Sequence, residues 1–442
     1  MTSIIKRNKG LALIIICALG ILSSCNKDVE QFTETTPPVS TDNTLADNLK
    51  AMPRDSLFYK LVQRAGLLDS LKKRSNAYTV FVPDTTAIKG FLAAATGQAG
   101  LATASNQVVS SFILSSLPAS TAYQIVSYNI VPQKINPYGG ATTAFANLAM
   151  PSLLNPVPGN AATALLRLDV YLAQGTAGAY INNIPVVAAN IASANGIIHH
   201  TAAIAVPPSQ FLWNRINADA NLTFLKAAIL RADSGQTNVP GVLNQNILQS
   251  VLSNIGPDLT IFAPTDQAFK NVLYVTAYPI VYGQLYQAAY AQAIGGGASP
   301  TMADAAATAY ATANAPAQTT ALTSSPTVFQ NPALYPYLTA QNVKGILVSN
   351  FLGVRAFTNN LPATAINVPT LLNGAIPTHP GITIKSTFTG PIASSATVKG
   401  AYNPSASNIL INNLPAPYGT SDQIYLNGVL HEIDQVLIPL PL

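Results

Sequence analysis

The apolar positions of this chain follow two rhythms that succeed one another twice. After Asp55, the residues Leu57, Phe58, Leu61 and Ala65 recur at three- and four-residue steps, the spacing of one helix face, and Gly66 suits its end. A second short helix over 67–73 turns Leu68 and Leu71 inward. Residues 78–82 then form a continuous apolar run stopped by Pro83, the pattern of a buried strand. Asp84, Thr85 and Thr86 offer side-chain oxygens to cap a helix around 87–95. The succession returns later. Residues 212–216 and 222–230 have helical period, 259–263 is the apolar run before Pro264, and Thr265 and Asp266 precede a helix carrying Ala268, Phe269 and Leu273. Strand-like runs close each half, at 166–171, 180–187, 381–388 and 409–411. Helices early and strands late predict an α+β fold rather than βαβ repetition.

Literal repeats sharpen this reading. Thr79, Phe81 and Pro83 return as Thr260, Phe262 and Pro264; Asn195, Gly196 and His199 return as Asn427, Gly428 and His431. Two motifs recurring in one order mean two copies of one domain, here 45–208 and 209–442. The interval between the motifs is about fifty residues longer in the second copy. The excess lies around 280–335, a stretch crowded with Ala, Gln, Tyr and Gly. Its Ala runs favour helix, and Gly295-Gly296-Gly297 and Pro316 are expected to break it. The stretch reads either as a surface excursion or as a Tyr-lined partner surface, because tyrosines offer rigid amphipathic contact area.

The first residues change the compartment. Lys6, Arg7 and Lys9 precede an apolar run over 11–19, too short to span a bilayer, and Leu22-Ser23-Ser24-Cys25 follows. That segment resembles a bacterial lipobox, which implies a leader over 1–24, acylation of Cys25 and a membrane anchor. Asn26-Lys27-Asp28-Val29-Glu30 is similar to the signal that sends lipoproteins of the Bacteroidetes to the outer face of the outer membrane. Residues 25–44 read as a flexible spacer. Without the leader, net charge falls from +5 to +2 (19 − 17), so the sequence pI near 9.0 gives no argument for nucleic acid. Cys17 leaves with the leader and Cys25 is the acylation site. No disulfide is expected, and stability rests on burial.

At the repeated motifs the chain resembles the fasciclin domain family, in the pattern Thr-x-Phe-x-Pro and in Asn-Gly-x-x-His with its following apolar tail. The resemblance implies a β-sandwich or wedge with helices packed around it, in tandem, and a role in extracellular adhesion or matrix and polysaccharide contact. The family also carries a mid-domain Tyr-His pair. Tyr128-Asn129 keeps the tyrosine, and Asn350-Phe351 stands at that place in the second copy. Ile433-Asp434 fits the family pattern, with Ala202-Ala203 read as its counterpart.

Chemistry is sparse. His199 and His431 each follow an Asn-Gly turn and precede an apolar stretch, which points to backbone hydrogen bonding rather than acid–base work. With His200 and His379 they are the only histidines, and no second His follows His431-Glu432 at helical spacing, so no metal site is expected. There is no Gly-x-Ser-x-Gly, no phosphate-binding Gly-rich loop, and no evident carboxylate pair among Asp266, Glu432 and Asp434. Trp213 is expected in a core or interdomain contact, in a joint that is packed rather than loose. The sequence therefore predicts a protein without catalytic residues, metal or cofactor. It is expected to be held in the cell envelope through Cys25 and to bind an extracellular protein or polysaccharide, with no nucleic acid partner. The alternatives are a glycan-binding accessory of an outer-membrane polysaccharide uptake system, and an envelope hydrolase with an unrecognised site. Nothing in the sequence sets the oligomeric state.

Overall fold

The structure is a computed structural model, and it describes residues 43–135, 147–157, 163–175, 177–412 and 419–441. The predicted leader, Cys25 and nearly all of the spacer lie outside these residues. The fold is mixed helix and sheet in two domains.

In the first domain a helical layer forms where the apolar period predicted it. The helix Ser56–Arg64 buries Leu57, Phe58, Leu61 and Val62, and Gly66 follows with a positive φ of 72°. Leu68–Lys72 is the short second helix, and Thr85–Thr96 is capped by the Asp84 carboxylate on the Ala87 amide at 2.8 Å. These helices, with Leu45–Ala51, Asn106–Ser115 and Ala119–Tyr128, pack into one apolar core with residues of the sheet.

The strands are β1 (Tyr78–Pro83), β2 (Ile130–Val131), β3 (Asn147–Pro151), β4 (Asp169–Gly175), β5 (Gly178–Ile181), β6 (Ile184–Ser193) and β7 (Gly196–Thr201). Among the described residues their order is β2-β1-β7-β6-β5-β4-β3. β6 belongs to both halves of this sheet. Its start pairs with β5, and the rest pairs with β7 through two irregularities, the second between Ala188 and Ile191. Bulges of this kind bend a sheet and re-aim its side chains.

The second domain repeats the plan with β8 (Leu259–Pro264), β9 (Phe351–Leu352), β10 (Ile366–Val368), β11 (Ile382–Thr389), β12 (Ile392–Gly400), β13 (Ser407–Ile409), β14 (Gln423–Tyr425) and β15 (Gly428–Ile433). The order β9-β8-β15-β13-β12-β11-β10 mirrors the first sheet, with β14 also on β15. Where the first copy has the single bulged strand β6, the second has two strands, β14 against 428–430 and β13 against Ile433. In both domains the strand of the first motif lies parallel to the strand of the second. Phe81 is opposite His199 and Phe262 opposite His431.

The extra residues of the second copy form a helical hairpin. The counterpart of Thr85–Thr96 becomes a 30-residue helix, Asp266–Gly295, followed by a 24-residue helix, Pro300–Thr323. The Gly triplet ends the first helix as expected, with Gly297 at φ 86°. Pro316 does not break the second, and Pro279 lies inside the first. Both prolines are exposed, as are Val275 and Thr312, four residues before each. The carbonyls deprived of an amide partner therefore sit on the water side, where the loss is smallest. Ala303, Ala307, Ala311 and Ala315 are fully buried along one stripe, so the two helices approach closely.

Candidate functional site

The motif residues build the same hydrogen-bonded knot in each domain. Thr79 Oγ1 donates to Gln133 O at 2.7 Å and accepts from Ile135 N at 2.8 Å; Thr260 does the same with Val354 O and Ala356 N at 2.6 and 2.7 Å. The loop so held presents one carbonyl to the motif histidine: Ile135 O lies 3.0 Å from His199 Nε2, and Ala356 O lies 2.8 Å from His431 Nε2. The other ring nitrogen accepts a backbone amide, from Asn190 to His199 Nδ1 and from Asp422 to His431 Nδ1, each at 3.1 Å. Asn190 and Asp422 both take positive φ, 62° and 56°. The bulge in β6 and the break before β14 thus turn an amide inward for the histidine. Phe81 and Phe262 cover the rings, with centroids 5.5 and 5.7 Å away.

Both histidines are fully buried and both ring nitrogens are occupied by backbone. Burial pushes His199 down to about 4, the hydrogen bond to Ile135 opposing it. Such a ring is neutral at pH 7 and has no free nitrogen with which to accept a substrate proton.

The Asn-Gly pairs act as clamps. Asn195 Oδ1 accepts the Leu45 amide at 2.8 Å while its Nδ2 donates to Leu71 O and Lys73 O; Asn427 likewise joins the Leu212 amide to Val251 O. Gly196 and Gly428 admit no side chain, because a Cβ there would run into the carbonyls of Tyr78 and Leu259.

Register corrects two sequence assignments. Asn129 Nδ2 donates to Ile125 O and its Oδ1 accepts from Ala205; Asn350 Nδ2 donates to Ile346 O and its Oδ1 accepts from Leu437. The mid-domain pair is thus Tyr128-Asn129 and Ser349-Asn350, not Asn350-Phe351, and the asparagine is common to both. The alignment of His199 with His431 likewise sets Thr201-Ala202 against Ile433-Asp434, in place of Ala202-Ala203. Tyr128 is buried, donates to Asp169 O at 3.1 Å, and is pushed up to about 12 by desolvation.

The remaining acids are dispersed. Asp266 caps a neighbouring helix rather than its own, accepting from Phe224 N at 2.9 Å and Thr223 Oγ1 at 2.5 Å; Thr265 caps the long helix. Asp434 holds Ser407 and Asn408. Glu432 pairs with Arg215 at 2.8 Å, and burial and Asp219 raise its pKa. At the matching position in the first domain His200 pairs with buried Asp55 at 2.9 Å. Among the described residues no three His, Cys, Asp or Glu side chains converge as a metal-holding group.

The joint between the domains is packed, but residues that no motif marked build this seam. Buried Arg355 donates to the carbonyls of Tyr425, Leu426 and Gly428, pairs with Asp258, and lies 4.4 Å from the ring centre of Tyr171 in the first domain. Asn147 donates to Arg355 O at 2.7 Å and Tyr180 to Pro391 O at 2.8 Å. A charged residue inside the apolar run 351–357 was the available signal. Trp213, by contrast, packs against the second domain's own core. Beside the seam lies a cleft of about 720 Å³, walled by Phe91, Ile204 and Pro207 on one side and Pro391, Ile424 and Tyr425 on the other.

The hairpin is the other exposed feature. Tyr274, Tyr278, Tyr282, Tyr286 and Tyr290 follow one another every four residues, with ring centroids 5.9, 6.2 and 6.0 Å apart for the first two neighbouring pairs and the last. All five are half-buried. Tyr286 donates to Asp304 at 2.5 Å, and this bond raises its pKa. Asp304 is the one charged residue between Lys270 and Lys344.

Residues 53–207 match the family model of the fasciclin domain. Among solved structures the chain is similar to a domain pair from the insect cell adhesion molecule fasciclin I, at 12% identity over 87% of this chain and 97% of that one, with a TM-score of 0.30. No curated protein matches the chain. The fasciclin family match thus spans the first domain, and the second repeats that domain's strand order and motif hydrogen bonds.

Proposed function

We propose that this chain is a non-catalytic binding protein of the cell envelope. Its tandem domains adhere to an extracellular protein or polysaccharide, and the second domain's hairpin supplies the contact face. Anchoring through Cys25 belongs to the same reading. The fasciclin match supports adhesion, and the occupied, buried motif histidines support a structural rather than catalytic use of the repeated residues.

The observation that carries the reading is the tyrosine ladder. A hairpin absent from the first copy adds nothing to the second domain's core between Val281 and Ala321, yet it holds five tyrosines at four-residue steps, with ring contacts in three neighbouring pairs, in a nearly uncharged field. Aromatic rings with a polar tip give large contact area at low entropic cost, and the scarcity of charge favours an uncharged partner surface. Residues 26–442 would be coupled to beads and offered immobilised neutral polysaccharides, acidic polysaccharides and matrix proteins. Capture by a neutral surface is expected, reduced at least about tenfold in a Tyr278→Ala/Tyr282→Ala/Tyr290→Ala variant, as for loss of central aromatic contacts. Capture by none of them, or capture undiminished in the variant, contradicts the proposal.

A further inference from the structure

The two domains are an internal control on one another, and they differ sharply at one end. Asn195 ties the start of the helix Leu45–Ala51 to residues 71–73, and Asn427 ties Leu212–Ala218 to Val251 in the same way. With these clamps superposed, Lys50 and Arg54 of the first domain correspond to Asn217 and Asn221 of the second. Lys72, Lys73 and Arg74 correspond to Leu252, Ser253 and Asn254. None of the second domain's counterparts is charged, and one of them, Leu252, is turned into the core.

All five basic side chains are exposed. The acids among them are few and engaged. Asp55 is buried on His200 and lies 3.9 Å from Arg54, Asp69 lies 3.5 Å from Lys72, and Asp47 accepts from Thr44 at 2.6 Å. The face also sits where the preceding chain enters, since the clamp holds residues 71–73 beside Leu45.

We propose that Lys50, Arg54, Lys72, Lys73 and Arg74 form a docking face for an anionic lipid surface, which seats the first domain against the membrane that holds the chain. This rests on the reading of Cys25 as an acylated anchor. Three observations select a lipid surface. The charges lie on exposed positions in and beside the helices Leu45–Ala51 and Leu68–Lys72, and none of them lines the cleft beside the seam. They lie beside the chain entry. The predicted spacer between Cys25 and Asn43 reaches only on the order of 25 Å as a coil. A basic patch near an acyl chain is the second signal that makes such anchoring stable, and its attraction acts within a Debye length of the headgroups.

The test uses residues 26–442, which contain the whole compact unit Pro37–Leu442 and no cysteine. Flotation with vesicles of phosphatidylcholine alone is compared with vesicles containing phosphatidylglycerol. Binding only to the latter, weakened by added salt, is expected. Lys72→Glu/Lys73→Glu/Arg74→Glu lowers it at least about tenfold, at a few-fold per charge. Lys73→Ser/Arg74→Asn, which installs the second domain's own residues, lowers it less with the melting temperature kept. Lys385→Glu/Lys399→Glu leaves it unchanged. Equal partition onto both vesicles, or undiminished binding by the triple variant, overturns the proposal. So does binding to a soluble acidic polysaccharide without binding to vesicles. Fatty-acid labelling of the full chain separates the two readings. Unlabelled Cys25 with intact vesicle binding removes only the anchor, and labelled Cys25 without vesicle binding removes only the docking face.

Discussion

At the scale of the residue, the repeated motifs are devices for closing a fold. Thr79 and Thr260 pin a loop, His199 bridges that loop to the bulge of β6 and His431 to the turn before β14, and Asn195 and Asn427 clamp each domain's first helix. His199 makes this visible in solution. An unfolded histidine titrates near 6.5, and the folded one near 4. Above pH 6.5 both states are neutral and the full stability is present. Between 6.5 and 4 the unfolded chain takes up a proton that the folded chain refuses, so stability falls, by up to about 3 kcal/mol. Proton NMR of the folded protein is expected to show the His199 ring titrating near pH 4, with the denaturation midpoint declining over the same window. A ring titrating near 6.5 contradicts the buried site. The motif residues were legible because each copy vouches for the other. Their neighbours were harder. Counting along the chain placed Asn350 one position early, since only the hydrogen bonds to Ile346 and Leu437 fix its equivalence to Asn129.

At the scale of the element, the helices and strands near the motifs were readable from apolar period and caps. The hairpin was only half readable. Its Ala stripe and Gly triplet behave as local propensity predicts, but Pro316 was taken as a breaker. A proline's cost depends on which way the orphaned carbonyl points, and that is set by a tertiary face no local window contains. Pro316→Ala restores a donor to the Thr312 carbonyl and is expected to raise hydrogen-exchange protection over 312–320, by about 1–3 kcal/mol in opening free energy. Unchanged or lower protection would mean that this helix is not continuous through 316. Strand β6 and its split counterpart, β13 with β14, were not legible as one feature. Their equivalence appears only in pairing with the motif strand.

At the scale of the whole molecule, the two domains differ in charge: the first is basic, and the second carries a nearly uncharged hairpin. The overall charge conceals this, because the acids Asp28, Glu30, Glu34 and Asp42 before the first domain offset most of its surplus bases. Arg355 and Tyr171 join the domains through contacts between residues far apart in sequence, which no single-sequence pattern encodes. Residues that hold the fold are distinct from residues that meet a partner, so one paired measurement is decisive: melting temperature and polymer capture for His431→Ala and for the triple tyrosine variant. His431→Ala is expected to lose about 1–3 kcal/mol of stability, from a broken buried hydrogen bond, and to keep capture per folded molecule. The tyrosine variant is expected to keep its melting temperature and lose capture. Loss of capture in folded His431→Ala with stability unchanged would place the function in the motif and contradict the account.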